Sequence, residues 1–438
     1  RALAKVERSG TIFSPNLTFS AEEHSFYHRY KKTGMGLKLN SKSSKIETGI
    51  DFRVDQDFIN KNNWSVHSND FVAYTDITTH SKKGWKNSVI YKKRIKKGEK
   101  NQNYNYALLD LSISWKNPMS PLSLNVDLKQ EETLSQNRAV IYEFVGNGLG
   151  THRYDSDLNT YIHDLNGDHI SYSINIGDRT PKTIFLGSQH FVLDCSKLNI
   201  LPNLIIRSQI NQEYRGRNLN FSRFWEENIL DTNITKLFLF LRNEIIFTKN
   251  RSKTLWLQYR KNLEGYDPRG NNIKIDREFG IEQVFKWFEN SSVKNKMDIH
   301  NYYTESKVYS SRNRLTQGLW NEIMFQTKFN KKIDFVLGFL NGYDEGEIYE
   351  SNFSANALGI KSNLNLYYNK NGRIQTEISF VNVRVLNNDS ALPPEALKGY
   401  ANGKSFRTNS RFHYLINKTL SLNLNLNTIN DLRYKNLI

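Results

Sequence analysis

The stretch Lys404-Ser-Phe-Arg-Thr-Asn-Ser-Arg-Phe-His-Tyr-Leu-Ile-Asn-Lys-Thr-Leu-Ser-Leu-Asn-Leu-Asn-Leu-Asn-Thr428 decides the fold. Leu420, Leu422, Leu424 and Leu426 alternate with Ser421, Asn423, Asn425 and Asn427. Successive side chains of a β-strand point to opposite faces, so this run makes one apolar and one polar face. Upstream, Phe406, Thr408, Ser410, Phe412, Tyr414 and Ile416 alternate with Arg407, Asn409, Arg411 and His413. Asn417-Lys418 lies between the runs, where a tight turn belongs. The spacing predicts one antiparallel hairpin whose strands, at about ten residues each, are long enough to cross a bilayer when tilted.

The same alternation recurs outward from this hairpin. Leu358 to Tyr368 faces Ile374 to Val385 across Asn369-Lys-Asn-Gly372, where Asn-Gly supplies the positive φ of a hairpin turn. Leu319 to Phe329 fits either period, and its neighbours favour a strand. Leu237-Phe-Leu-Phe-Leu241 is apolar on both faces, and Phe221 to Leu230 reads as a short helix or a long loop. Ala391-Leu-Pro-Pro-Glu-Ala-Leu397 reads as a loop. Nearer the start, Ile50, Phe52 and Val54 alternate with Asp51, Arg53 and Asp55, and Leu109, Leu111 and Ile113 with Asp110, Ser112 and Ser114. Strands at short spacing with turn signals between them predict an all-β antiparallel meander. Three regions are expected: a strand array over 1–144, a Gly/Asp-rich turn insert over 145–180, and a long-strand barrel region over 181–438.

Composition narrows the choice. The chain has 438 residues, 38% hydrophobic and 13% aromatic, with a mean hydropathy of −0.64. No run approaches 18 apolar residues, which excludes transmembrane helices. A membrane barrel stays open, because half of each strand faces away from lipid and dilutes the hydropathy. The net charge is +17, from 61 basic and 44 acidic residues, spread along the chain without a single stripe. A nucleic-acid partner is therefore not expected. The densest basic cluster, Tyr91-Lys-Lys-Arg-Ile-Lys-Lys-Gly-Glu-Lys100, reads as a charged hairpin tip. A lone Cys195 excludes a disulfide framework and reads as a small packing residue. Arg1-Ala-Leu-Ala-Lys-Val has no signal-peptide pattern, and the chain starts and stops in mid-pattern, as a fragment would.

Chemistry-bearing motifs are scarce. No P-loop, G-x-G-x-x-G, H-E-x-x-H or G-x-S-x-G occurs in a suitable context, and the ten histidines are scattered. No catalytic set is visible and no enzyme is expected. One constellation is set apart: Asp155, Asp157, Asp164, Asn166 and Asp168. Oxygen ligands at alternate positions suit Ca²⁺, but the distal bidentate Glu of a calcium loop is missing, and Asp and Asn are also ordinary turn residues. The expectation is no cofactor, with Ca²⁺ the one candidate.

Phe144-Val-Gly-Asn-Gly-Leu-Gly, then Tyr154-Asp-Ser-Asp-Leu-Asn-Thr-Tyr, then Asp164-Leu-Asn-Gly-Asp resembles a motif of large, mostly uncharacterised surface proteins. Those proteins belong to the Bacteroidota–Chlorobiota–Ignavibacteria group of Gram-negative bacteria. Gly146, Gly148, Gly150, Tyr154, Tyr161, Asp164, Gly167 and Asp168 match the pattern, while His169 replaces its usual aromatic. The resemblance implies a C-terminal array of long strands similar to an outer-membrane β-barrel, closed by an aromatic-terminated strand. Here Asp431-Leu-Arg-Tyr-Lys-Asn-Leu-Ile438 ends the chain, so a final strand is expected to be missing.

These readings converge on a complete or incomplete transmembrane β-barrel in the outer membrane, with a structural, solute-passage or export role. Its expected partners are the lipid bilayer, lipopolysaccharide and the barrel-assembly machinery. Lys361, Asn363, Asn365, Arg407, Arg411, Asn423 and Asn425 are expected to face the lumen, where a basic lining would favour anionic solutes. The alternative is a secreted or cell-surface all-β adhesion or glycan-binding protein. A β-rich hydrolase is a third.

Overall fold

The computed structural model describes residues 2–7, 12–24, 28–60, 63–81, 83–98, 104–156, 160–198, 203–226, 234–248, 251–264, 272–306, 312–348, 351–368, 371–387, 392–415 and 420–430. The first part contributes β1 (Ala2–Glu7), β2 (Phe13–His24), β3 (His28–Asn40), β4 (Ser44–Asn60), β5 (Asn63–His80), β6 (Trp85–Gly98), β7 (Tyr104–Lys116) and β8 (Leu122–Phe144). Two short strands follow, β9 (Gly150–Asp155) and β10 (Thr160–Gly167), before the long β11 (His169–Asp194). Next come β12 (Leu204–Gly216), β13 (Ile234–Phe247), β14 (Arg251–Glu264), β15 (Asn272–Phe288) and β16 (Ser291–Ser306). The last are β17 (Arg314–Asn330), β18 (Ile333–Ile348), β19 (Ser351–Tyr368), β20 (Gly372–Val385), β21 (Gly403–Leu415) and β22 (Ser421–Asn430).

All belong to one 22-stranded antiparallel sheet. Each strand pairs with the next from β1 to β8, β8 pairs with β11, and the meander continues to β22. The β9–β10 hairpin projects from the β8–β11 connection and touches the sheet at His152↔His169. β11 crosses residue 180 as one strand with a bulge between Ile176 and Thr180, paired with β8 from His169↔Phe144 to Leu193↔Leu122. The flanking arrays, 1–144 and 181–438, are therefore one sheet, and the insert is an outgrowth of it. β11 pairs with β8 along its length and with β12 from Thr183 to Asp194, so the chain passes residue 180 without leaving the sheet.

The connections differ between the two ends. From β12 onward one end carries 248–250, 289–290, 331–332, 369–371 and 416–420; the other carries 217–233, 265–271, 307–313, 349–350 and 386–402. The β9–β10 hairpin stands at this second, long-connection end. The expected turn at Asn417-Lys418 lies outside the described residues, as do Asn369 and Lys370 of the turn before Gly372.

Side-chain parity gives the sheet two unlike faces. On one, Ile323, Phe339, Ile360, Phe380 and Phe406 form a continuous row from β17 to β21. The same face carries Leu109, Phe279, Ile299, Leu422, Leu424 and Leu426, and these large apolar side chains are among the exposed ones; Ile360 is 49% and Leu426 64% exposed. The other face carries polar and charged residues, several fully buried: Asp298, His300 and Asp344 are at most 2% exposed. Many of its charges are paired, across strands as in Lys32–Asp51, Arg94–Asp70 and Lys294–Glu282, or along one strand as in Arg242–Glu244. Burying paired charges while exposing phenylalanines is the inverse of a water-soluble sheet. Among the described residues no ladder joins β1 to β22, every residue of β22 is exposed, and no helix is long and apolar enough to cross a membrane. That last point says nothing about crossing with strands.

The basic cluster expected at a hairpin tip is instead strand: β6 runs to Gly98. Arg94 donates from Nε to both oxygens of Asp70, its neighbour on β5, at 2.9 and 2.8 Å. A distant acid thus neutralises a charge that looks solvated when the sequence is read locally. Cys195 is buried and free at the start of a one-turn 3-10 helix, Cys195–Leu198, between β11 and β12.

Candidate functional site

The polar face is most elaborated where the β20–β21 connection folds back across it. Pro393 and Pro394 cannot donate to a ladder, so the chain leaves the sheet after β20. It forms a single 3-10 turn, Ala396–Gly399, in which Leu397 (φ 49°, ψ 43°) and Lys398 (φ 55°, ψ 28°) are left-handed. Each such residue costs about 1–2 kcal/mol without glycine, so tertiary contacts must hold the turn.

Those contacts are specific. Asp344 of β18 accepts the Leu397 N–H through Oδ2 at 2.6 Å, and its Oδ1 lies 3.0 Å from His300 Nε2. Lys398 donates from Nζ to Asp298 Oδ2 at 2.7 Å. His300 Nδ1 lies 3.4 Å from that same oxygen, close enough for charge attraction but not aligned as a hydrogen bond. Tyr302 donates to Glu278 Oε1 at 2.7 Å and lies 3.5 Å from Lys398 Nζ. Arg314 Nε pairs with Glu395 Oε1 at 2.5 Å, and an Arg407 terminal nitrogen donates to Gly399 O at 2.5 Å. The Arg407 guanidinium sits 4.1 Å over the Tyr400 ring, which stacks near-parallel on Trp320. Leu397 is fully buried with Trp320, Leu340, Ala355, Ala357, Val381 and Val383.

Two glycines make room for this. His300, Gly318 and Asp344 lie side by side on β16, β17 and β18. A Cβ at Gly318 would collide with Asp344 Oδ1, so the missing side chain lets His300 and Asp344 meet across the middle strand. Gly342 likewise lies under the Trp320 ring and beside Leu397.

The residues expected to face a lumen share this polar face. Lys361, Ser379 and Arg407 form one row, and Asn365, Gln375, Arg411 and Asn425 another. Asn363 lies beside Glu377, and Asn423 beside His413. Lys361 pairs with Glu377 at 2.9 Å, Asn365 accepts from Arg373 at 3.0 Å, and Asn423 Oδ1 lies 2.6 Å from His413 Nδ1. Of the seven, Arg407 contacts the folded-back segment, at Gly399 and Tyr400. Asp298 and His300 of β16 and Asp344 of β18, which meet Leu397 and Lys398 of the segment, come from separate elements, and no local spacing could have signalled them.

The Asp-rich insert is placed less compactly. Asp164 lies 3.5 Å from the Arg153 guanidinium, and Asp168 Oδ1 lies 2.7 Å from His169 Nδ1. That contact holds the Asp168 carboxyl below the usual carboxylate range. Asp155 sits at the end of β9, Asn166 lies within β10, and Asp157 lies outside the described residues. Among the described residues no group of three or more His, Cys, Asp or Glu side chains converges as a metal site would. What does converge is aromatic: Tyr161 stacks on Tyr142 at 4.0 Å and meets Tyr154 and His169 edge-on.

No protein-family model matches the chain, and no curated protein does. Among solved structures, it is similar to the siderophore receptor PirA from Acinetobacter baumannii, at 8% identity and a TM-score of 0.38 over 96% of this chain and 68% of that one. It is also similar to the ferric enterobactin receptor PfeA from Pseudomonas aeruginosa, at 8% identity and a TM-score of 0.32 over 96% and 76%. A third is Salmonella typhi OmpF, at 9% identity and a TM-score of 0.30 over 93% and 99%. Likenesses this distant carry nothing about substrate or mechanism.

Proposed function

We propose that this chain is a non-enzymatic outer-membrane β-barrel protein, with its apolar face against lipid and its polar face around a lumen. The observation that carries the reading is the inversion of the sheet: exposed phenylalanines and leucines on one face, buried ion pairs on the other. Lipid accepts the first arrangement, and a narrow aqueous interior the second. Strands such as β17, β18 and β19, at 17, 16 and 18 residues, exceed the length needed to cross a bilayer. Short connections at one end and long ones at the other also fit the barrel pattern.

Within this reading the role is structural, solute passage or export, and the segment 392–402 narrows the lumen at the long-connection end. Because most cations on the polar face have acidic partners, a selectivity for anions would rest on Arg411 and the remaining basic excess. Lipopolysaccharide and barrel-assembly machinery are the partners such a protein would meet. The deciding experiment is refolding with and without detergent, followed by size-exclusion chromatography and circular dichroism. A β-rich, monodisperse species only in detergent or lipid is expected. A monodisperse β protein in plain buffer would sink the barrel reading and favour a secreted adhesion or glycan-binding protein.

A further inference from the structure

The β12–β13 connection behaves in the opposite way to the β20–β21 connection: it folds over the apolar face. A 3-10 turn at Phe221–Phe224 is capped by Asn220, whose Oδ1 accepts the Ser222 N–H at 3.0 Å. Phe224 is fully buried with Phe185 of β11, Tyr214 of β12, Leu237 and Leu239 of β13, and Ile275 of β15. The same lobe covers Lys261, a lysine on the apolar face between Leu239 and Ile275. The Lys261 ammonium is fully buried and donates to the backbone carbonyls of Arg223, at 3.2 Å, and Glu226. A charge facing hydrocarbon here would be costly, and the lobe supplies the oxygens that satisfy it.

The lobe's own surface is apolar and basic at once. Phe221 and Trp225 are 53% and 57% exposed. Within 217–226, Arg223 pairs with Glu226 at 2.9 Å, and Arg217 is an exposed cation at the lobe's start. Its height on the sheet is set by the register. The row Leu257–Phe279–Ile299–Leu319 is bare and apolar. The next row on that face toward the long-connection end, Tyr259–Arg277–Asn301–Gln317–Glu345, is aromatic and polar. Leu239–Lys261–Ile275, which the lobe covers, is the row after that, about 7 Å further along the strands. The lobe thus stands where hydrocarbon gives way to headgroups.

We propose that the 217–226 lobe is a lipid-contacting surface that seats on the bilayer at headgroup level, with Phe221 and Trp225 in the interface and Arg217 toward lipid phosphates. Aromatic side chains with apolar bodies favour this depth, and an anionic phosphate complements Arg217. The proposal rests on the barrel reading.

The test places an environment-sensitive fluorophore on Phe221→Cys, separately on Trp225→Cys, and on Leu257→Cys as a reference, each in a Cys195→Ala background. The protein is reconstituted into phosphatidylcholine–phosphatidylglycerol vesicles carrying a nitroxide either at the headgroup or deep in the acyl chain. The expected result is quenching of both lobe probes by the headgroup nitroxide and of the Leu257 probe by the deep one. If Leu257 is quenched but neither lobe probe is, the proposal fails and the barrel stands. Strongest quenching of the lobe probes by the deep nitroxide overturns it as well. No quenching at Leu257 removes the barrel reading and the proposal with it. The two independent lobe positions guard against one variant failing to fold.

Discussion

Substituting Asp344→Ala should release the 392–402 segment from the polar face. Its carboxylate meets two partners inside a site closed to water: the Leu397 N–H at 2.6 Å and His300 Nε2 at 3.0 Å. Truncation leaves both without an acceptor, and a buried polar group so stranded costs about 1–3 kcal/mol. The lower bound for the two together is about 2 kcal/mol, which shifts a docked-to-undocked equilibrium by about 30-fold. The remaining contacts, Lys398–Asp298, Arg314–Glu395 and Arg407 to Gly399 O, must then hold two left-handed residues without the Asp344 anchor. The assay is hydrogen exchange at Leu397 and Tyr400 in detergent-folded protein, with amides of β13 and β14 as the reference for the intact sheet. Faster exchange in the segment alone is expected. Gly318→Ala should reproduce it from another strand, because the added methyl would displace Asp344 Oδ1. Unchanged protection at Leu397 in both variants, with the sheet folded, would refute the idea that Asp344 seats the segment.

Further outcomes can be checked on the same preparation. Lys398→Met leaves Asp298, 1% exposed, without its nearest cation; breaking such a pair costs about 3–5 kcal/mol when fully buried, and less here because Lys398 is partly exposed, read as a lower urea midpoint. Ile360→Arg, on the row shared with Phe339 and Phe380, should destabilise the barrel in lipid by about 2–4 kcal/mol, whereas Asn363→Arg on the opposite face should be tolerated. Equal penalties for those two would contradict the assignment of faces. Millimolar Ca²⁺ should leave thermal unfolding unchanged, since Asp164 and Asp168 are engaged by Arg153 and His169; a rise in Tm would assign the insert a cation.

The strands were legible because alternation is local. Every residue of the Phe406–Tyr414 and Leu422–Leu426 runs lies on the face its parity implies, and Leu319 to Phe329 proved to be part of a strand, β17. Lys361 and Arg407, separated by 46 positions, could be put on one face by counting parity alone, and the register sets them in one row. Charge was misleading where pairing is long-range: nothing near Arg94 announces Asp70, so a strand looked like a hairpin tip. The insert looked like a boundary because its glycines and aspartates interrupt the alternation, yet β11 pairs with β8 from its first residue, His169↔Phe144.

The two long connections show why the site itself was unreadable. Both 217–226 and 392–402 contain one 3-10 turn and mix apolar, aromatic and charged residues, and neither pattern says which face it will cover. Their destinations are set by what waits on each face. On the polar face, Gly318 and Gly342 open a recess whose floor holds Asp298, His300 and Asp344, and only a segment offering a lysine and a free backbone N–H can satisfy those carboxylates. On the apolar face the floor is Phe185, Tyr214, Leu237 and Leu239 with one lysine, and the complementary segment brings Phe224 and two carbonyl oxygens. The donors and acceptors are reversed between the two seats. Reversing the charge in each seat, Lys261→Glu in one and Asp344→Lys in the other, should therefore undock both connections, read as faster hydrogen exchange in 217–226 and 392–402, while leaving the ladders of the sheet protected.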